Sequence, residues 1–163
     1  MARLLAVDTS AQRGSVALAV DGEAIVEHSD APRSHTRMLE PMMGRLLAQA
    51  GLSLRELDGL AYGRGPGSFT GLRITAGFVQ GIAWGLGCPV VPVSSLATMA
   101  LSARPEGEPG PVASALDARM GEVYWSCYHV LADRTLEVLV EDCLLRPDEA
   151  CLPSAAANGA WVG

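Results

Sequence analysis

Residues 4–20, LLAVDTSAQRGSVALAV, and residues 112–130, VASALDARMGEVYWSCYHV, share one pattern. Each has an apolar run ending in an aspartate (Asp8, Asp117), a short polar turn, a glycine (Gly14, Gly121), and then alternating strand residues. An apolar run of this length reads as a strand buried on both faces, and the alternation after it as a half-buried partner. Asp21-Gly22 then turns the first copy into EAIVEHS, and Asp133-Arg134 turns the second into TLEVLVE, so each copy opens with three antiparallel strands. This is an internal duplication, and it governs how the rest of the chain is read.

Outward from the first copy, a helix is expected from a Ser34 cap to the Gly51 stop, with Pro41 bending its first turns. Its apolar positions Met38, Leu39, Met42, Met43, Leu46, Leu47 and Ala50 form one wide stripe. LDGLAYG (57–63) reads as a strand, followed by the glycine-rich loop GRGPGSFTG (63–71), a helix over 70–86, a strand over 89–93 and a helix over 94–103. RPEGEPGP (104–111) is a linker by composition. The second copy continues with a short helix near 147–150 and a fourth strand beginning in GAWVG. The expected fold class is therefore α/β, a duplicated βββαβαβα unit with its second lobe truncated. The expected domains are a first lobe over 1–103, a linker over 104–111, and an incomplete second lobe over 112–163.

Composition removes several function classes. The chain has 163 residues and is 49% hydrophobic and 18% charged, which excludes an intrinsically disordered protein. All 12 basic residues are arginine, so a Walker A loop, a Schiff-base lysine and a Ser–Lys dyad are absent. A net charge of −6 argues against a stand-alone nucleic-acid binder. Cys88, Cys127, Cys143 and Cys151 form no CxxC hook, and His28, His35 and His129 are scattered, so no metal site is expected. The opening MARLLAVDTS is unlike a secretory leader, so free thiols in the cytoplasm are expected. The apolar stretch 74–86 is too short and too broken to span a membrane.

Duplicated lobes that each open with a strand, an aspartate and a tight hairpin resemble the actin, hexokinase and Hsp70 superfamily, with its ribonuclease H-like fold. There the two hairpins straddle ATP phosphates, which would make Asp8, Thr9 and Ser10 the cofactor contacts here. Ser10 and Arg119 replace the usual glycine two positions after each aspartate, while hydroxyl and backbone N–H groups still suit an anion. More specifically, AYGRGPGSFTGLRI (61–74), DARMGEVYW (117–125) and SHTRMLEPM (34–42) together resemble the bacterial TsaB (YeaZ) family of tRNA threonylcarbamoyladenosine biosynthesis proteins, over essentially the whole chain.

That resemblance implies a non-catalytic subunit that binds its catalytic paralogue TsaD and, in the complex, the ATPase TsaE. It also implies a homodimer in isolation, no cofactor bound alone, ATP or ADP at the interface of the complex, and contact with tRNA only through the complex. The catalytic paralogue carries a metal-binding Asn-His-x-x-x-His helix after the strand matching 89–93. Here VSSLATMA puts Ser95 and Met99 in the two histidine positions, as a helix cap and a core filler. The loop 63–71 reads either as an anion site at a helix N-terminus or as a tight connection packed on the neighbouring lobe. Pro66 removes the G-x-S-x-G setting that Ser68 would need as a nucleophile.

The helix over 70–86 is apolar nearly all round and is expected to be buried on both sides. Gly77, Gly81 and Gly85 leave a bare stripe for another backbone. With Phe78 and Ile82 and the methionine-rich stripe Met38, Leu39, Met42, Met43 and Leu46, they form the expected partner interface. The other open reading is a small ATP-dependent kinase or ATPase that uses Asp8 and Asp117.

Overall fold

The computed structural model describes residues 2–29, 35–153 and 161–163. Ser34, the expected helix cap, lies outside them. The first compact unit ends at Val93. β1 (Arg3–Asp8), β2 (Ser15–Val20) and β3 (Glu23–His28) form an antiparallel meander in the register Leu5↔Leu18 and Ala17↔Val26. Asp21 and Gly22 both have positive φ (56° and 91°), the pair of left-handed residues that a two-residue hairpin turn requires.

β4 (Gly59–Gly65) lies parallel to β1, so the chain must cross over between them. α1 (His35–Ala50) makes that crossover. Gly51 ends it at φ 66°, with Leu52 N donating to Leu47 O at 2.9 Å. α2 (Phe69–Leu86) follows β4, capped by Ser68 and ended by Gly87 at φ 68°. β5 (Val90–Ser94) completes a sheet of order β3-β2-β1-β4-β5. Leu5, Val7, Val16, Leu18 and Leu60 build its core together with Leu39, Met42, Met43 and Leu46 of α1. Each such side chain contributes roughly 1.5–3 kcal/mol by leaving water.

The second unit, Ser94–Gly163, contains α3 (Ser95–Ala103), β6 (Gly110–Arg119), β7 (Glu122–Val130) and β8 (Leu136–Leu145). Its sheet order is β6-β7-β8, antiparallel throughout. Pro147–Glu149 is a single 3-10 turn. Val162 bridges Val112 in parallel, as β4 does β1, so the β6-β7-β8-Val162 arrangement repeats the β1-β2-β3-β4 one. This is the actin-like, ribonuclease H-like duplication.

The compact units part between Val93 and Ser94 rather than at residues 104–111. The reason lies in α3: Leu96 and Ala100 are fully buried against Val112, Tyr128 and Val130 of the second sheet. Arg134 then closes the C-terminal end of α3, donating to Leu101 O at 2.8 Å and Arg104 O at 2.7 Å. The helix expected in the first lobe belongs by packing to the second unit. Among the described residues no helix is long and apolar enough to cross a membrane.

Candidate functional site

The glycine-rich loop and the first hairpin are packed into one another. Asp8 Oδ1 accepts from both the backbone N–H and the hydroxyl of Ser10, each at 2.7 Å. Thr9 is completely buried; its hydroxyl bonds to Gly71 O at 2.7 Å and pairs with the Thr75 hydroxyl at 2.5 Å. Ser68 N donates to Ser10 O at 2.6 Å. A Cβ on Gly67 would stand 2.6 Å from that same oxygen, and one on Gly63 or Gly71 would overlap the Asp8 carboxylate or the Thr9 carbonyl. These glycines exist for close approach.

The loop is the tight connection that its glycines suggest. Its neighbour is the hairpin of its own unit, and the start of α2 is occupied by Ser68, whose hydroxyl accepts from Gly71 N at 3.2 Å. Of the three residues assigned to a nucleotide, Thr9 is withdrawn into the core. Asp8 and Ser10 are half-buried and hydrogen-bonded to one another. Asp117 lies in the other compact unit, where it is exposed and accepts from Arg119 N at 2.7 Å and Arg119 Nη1 at 3.2 Å.

At the start of α3 the cap is Ser94 rather than Ser95: its Oγ accepts from Leu96 N at 3.1 Å and Ala97 N at 3.3 Å. Met99 is 38% exposed rather than a core filler, because Leu96 and Ala100 take the inward positions of that helix. Among the described residues no three His, Cys, Asp or Glu side chains gather as metal ligands would.

The two expected interface helices part ways. Leu39, Met42 and Leu46 are at most 1% exposed, Met43 is buried, and Met38 packs against the same core. The α1 stripe therefore lies on β2 and β3 rather than on an open face, against the expectation. Six of its seven apolar residues pack into the core beneath the helix, and Ala50 at its end is exposed. α2 is buried on one side only, through Gly71, Thr75 and Val79, with Phe78 and Ile82 half-buried against the core. Gly77, Gly81 and Gly85 are exposed, and nothing lies within 4 Å of where their Cβ atoms would be.

Two aromatic residues of α2 outside the expected interface set are also exposed. Phe69 is 71% exposed with the Arg73 guanidinium stacked 3.4 Å from its ring centre, and Trp84 is 91% exposed. Positions 69, 73, 77, 81 and 85 are spaced by four, so the same periodicity that located the glycines contained Phe69 and Arg73. A mainly apolar groove of about 510 Å³ runs beside Trp84, lined by Tyr62, Val79, Ala83, Cys88 and Val90.

The family described as TsaD, tRNA N6-adenosine threonylcarbamoyltransferase, matches residues 26–159. The chain is similar to the tRNA threonylcarbamoyladenosine biosynthesis protein TsaB of Escherichia coli (strain K12), 41% identical over 160 residues, 98% of this chain and 69% of that protein. It is also similar to the protein of the same description from Haemophilus influenzae, 49% identical over 123 residues, 76% of this chain and 52% of that protein. Among solved structures, YeaZ from Pseudomonas aeruginosa superposes with a TM-score of 0.89 at 43% identity, over 99% of this chain and 74% of that one. The chain thus spans between about half and three quarters of the length of these relatives.

Proposed function

Because the chain belongs to the TsaB family of tRNA threonylcarbamoyladenosine biosynthesis proteins, we propose that it serves that biosynthesis as a non-catalytic subunit. It docks onto its threonylcarbamoyltransferase paralogue, TsaD, in a complex that also includes the ATPase TsaE. The observation that carries this reading is the outward face of α2, where Gly77, Gly81 and Gly85 stand open on a helix that also exposes Phe69 and Trp84.

Bare glycines in the middle of an exposed helix cost stability without return unless another backbone is to approach them. Exposed tryptophan and phenylalanine beside that stripe supply the large apolar anchors that dominate association energies. In isolation the same face pairs two copies of this chain, and the paralogue, built on a related fold, replaces the second copy. The assignment of a non-catalytic role is supported by the residues at the places where chemistry would sit. The glycine loop is spent on packing against Thr9 and Ser10. By the family resemblance, Ser95 and Met99 stand where the paralogue would carry its histidine pair. ATP or ADP belongs to the interface of the complex, and tRNA is contacted through the complex, in keeping with a net charge of −6.

The test is light scattering after size exclusion, on the parent and on Gly81→Leu, each alone and mixed with TsaD. The parent forms a homodimer alone and a heterodimer in the mixture, and the variant, folded by circular dichroism, forms neither. A folded Gly81→Leu chain that associates as tightly as the parent overturns the assignment of this face.

A further inference from the structure

We infer that one ordered water molecule is bound inside the second unit, beneath α3, with the Ser114 hydroxyl as its anchor. Ser114 lies on β6 and is 2% exposed, and its Oγ has no hydrogen-bond partner among the described residues. It stands directly opposite Ser126 of β7. The next pair along the same face is Val112 with Tyr128, and both pack against Leu96 and Ala100. Ser114 therefore points to the face that α3 covers, away from bulk water.

The neighbours of Ser114 are polar, which separates this place from an empty apolar void. Ser126 is completely buried and its Oγ donates to Val140 O at 2.7 Å. Tyr128 is 3% exposed and its hydroxyl donates to Asp142 Oδ1 at 2.6 Å. Each of these hydroxyls has a partner for its proton; the Tyr128 oxygen is further engaged by Ser94 and Ser126, and Ser126 Oγ keeps a lone pair. Ser114 has a proton and two lone pairs unspent. A water molecule that accepts the Ser114 proton and donates to Ser126 Oγ gives the buried hydroxyl a partner, and the facing positions of a cross-strand pair are close enough, about 4.5–5.5 Å between Cβ atoms, for one molecule to bridge them. Buried polar groups in folded proteins are satisfied in this way, with about one internal water per 27 residues. The bridge ties β6 to β7 where Ser126 and Tyr128 already tie β7 to β8.

Two measurements decide it. A high-resolution crystal structure of the chain shows a water within hydrogen-bond distance of Ser114 Oγ, with no path to bulk solvent. Ser114→Ala takes away one of the water's partners, so its melting temperature falls, by roughly 2–4 °C for one lost hydrogen bond in a chain of this size. The inference is overturned by an electron-density map with no water beside Ser114. It is equally overturned by a rise in melting temperature for Ser114→Ala, the response expected when a bare buried hydroxyl is deleted. Should the variant not fold, the map of the parent chain decides alone.

Discussion

Replacing Gly77, Gly81 and Gly85 together by alanine should make the isolated chain more stable and its association weaker. A glycine inside a helix costs about 0.5–1 kcal/mol relative to alanine, chiefly because the unfolded chain loses more freedom there. At all three positions a new Cβ meets nothing within 4 Å, so no packing conflict offsets that gain. Three sites give about 1.5–3 kcal/mol, and at roughly 2–4 °C per kcal/mol for this length the melting temperature should rise by about 3–12 °C. Thermal unfolding followed by circular dichroism at low protein concentration reads the effect on the separate chain.

The same three methyl groups stand where a partner backbone would come closest, so the dissociation constant for TsaD, read by isothermal titration, should rise. Gly71→Ala is the internal control. Its Cβ overlaps the Thr9 carbonyl oxygen, a backbone atom held by the surrounding packing, and overpacking of that kind costs about 1–3 kcal/mol or more. A triple variant that melts lower than the parent would show that the stripe packs inside the chain. One that melts higher yet binds TsaD unchanged would remove the stripe from the interface.

Met42→Asp should abolish folding rather than association, since Met42 is completely buried in the first core and a carboxylate there has no partner; loss of the far-ultraviolet circular dichroism signal checks this. Trp84→Ala should leave stability within about 0.5 kcal/mol, given its 91% exposure, while weakening TsaD binding by about 2 kcal/mol or more in titration calorimetry. Burial and the hydrogen bond to Asp142 raise the Tyr128 hydroxyl above its ordinary 10.0, so the folded chain keeps a proton that the unfolded chain releases. Its contribution to stability is therefore complete below pH 10.0 and lost as pH rises through the higher folded value; in urea titrations at increasing alkaline pH, Tyr128→Phe should flatten that decline.

What could be read from the residues was set by local pattern. Asp21-Gly22, Gly51 and the alternation SVALAV are short-range signals, and β1, β2, β3 and the end of α1 fall where they point. The duplication was legible because two aspartates and two glycines recur in the same order, and the parallel bridge of Val162 to Val112 repeats the pairing of β4 with β1. What covers an apolar face was not legible. The stripes on α1 and α2 look alike in sequence, yet the first is sealed by β2 and β3 and the second keeps its glycine side open. The loop 63–71 announced close approach without naming its neighbour, because Thr9 and Ser10 are more than fifty residues away. α3 follows its strand without a break in composition, and only the burial of Leu96 and Ala100 against the second sheet assigns it to the second unit. Ser94 and Ser95 are equivalent as caps by residue type, and the hydropathy of Met99 says nothing about which side of α3 it occupies.

The most direct test of a non-catalytic docking role is threonylcarbamoyl transfer to unmodified tRNA, reconstituted from purified components. The three arms are this chain alone, TsaD with TsaE, and all three proteins together. The account predicts no transfer by the chain alone, little by TsaD with TsaE, and full transfer only when the chain is added, with the Gly81→Leu chain failing to restore it. Transfer by this chain without TsaD, or restoration by Gly81→Leu equal to that of the parent, would contradict it.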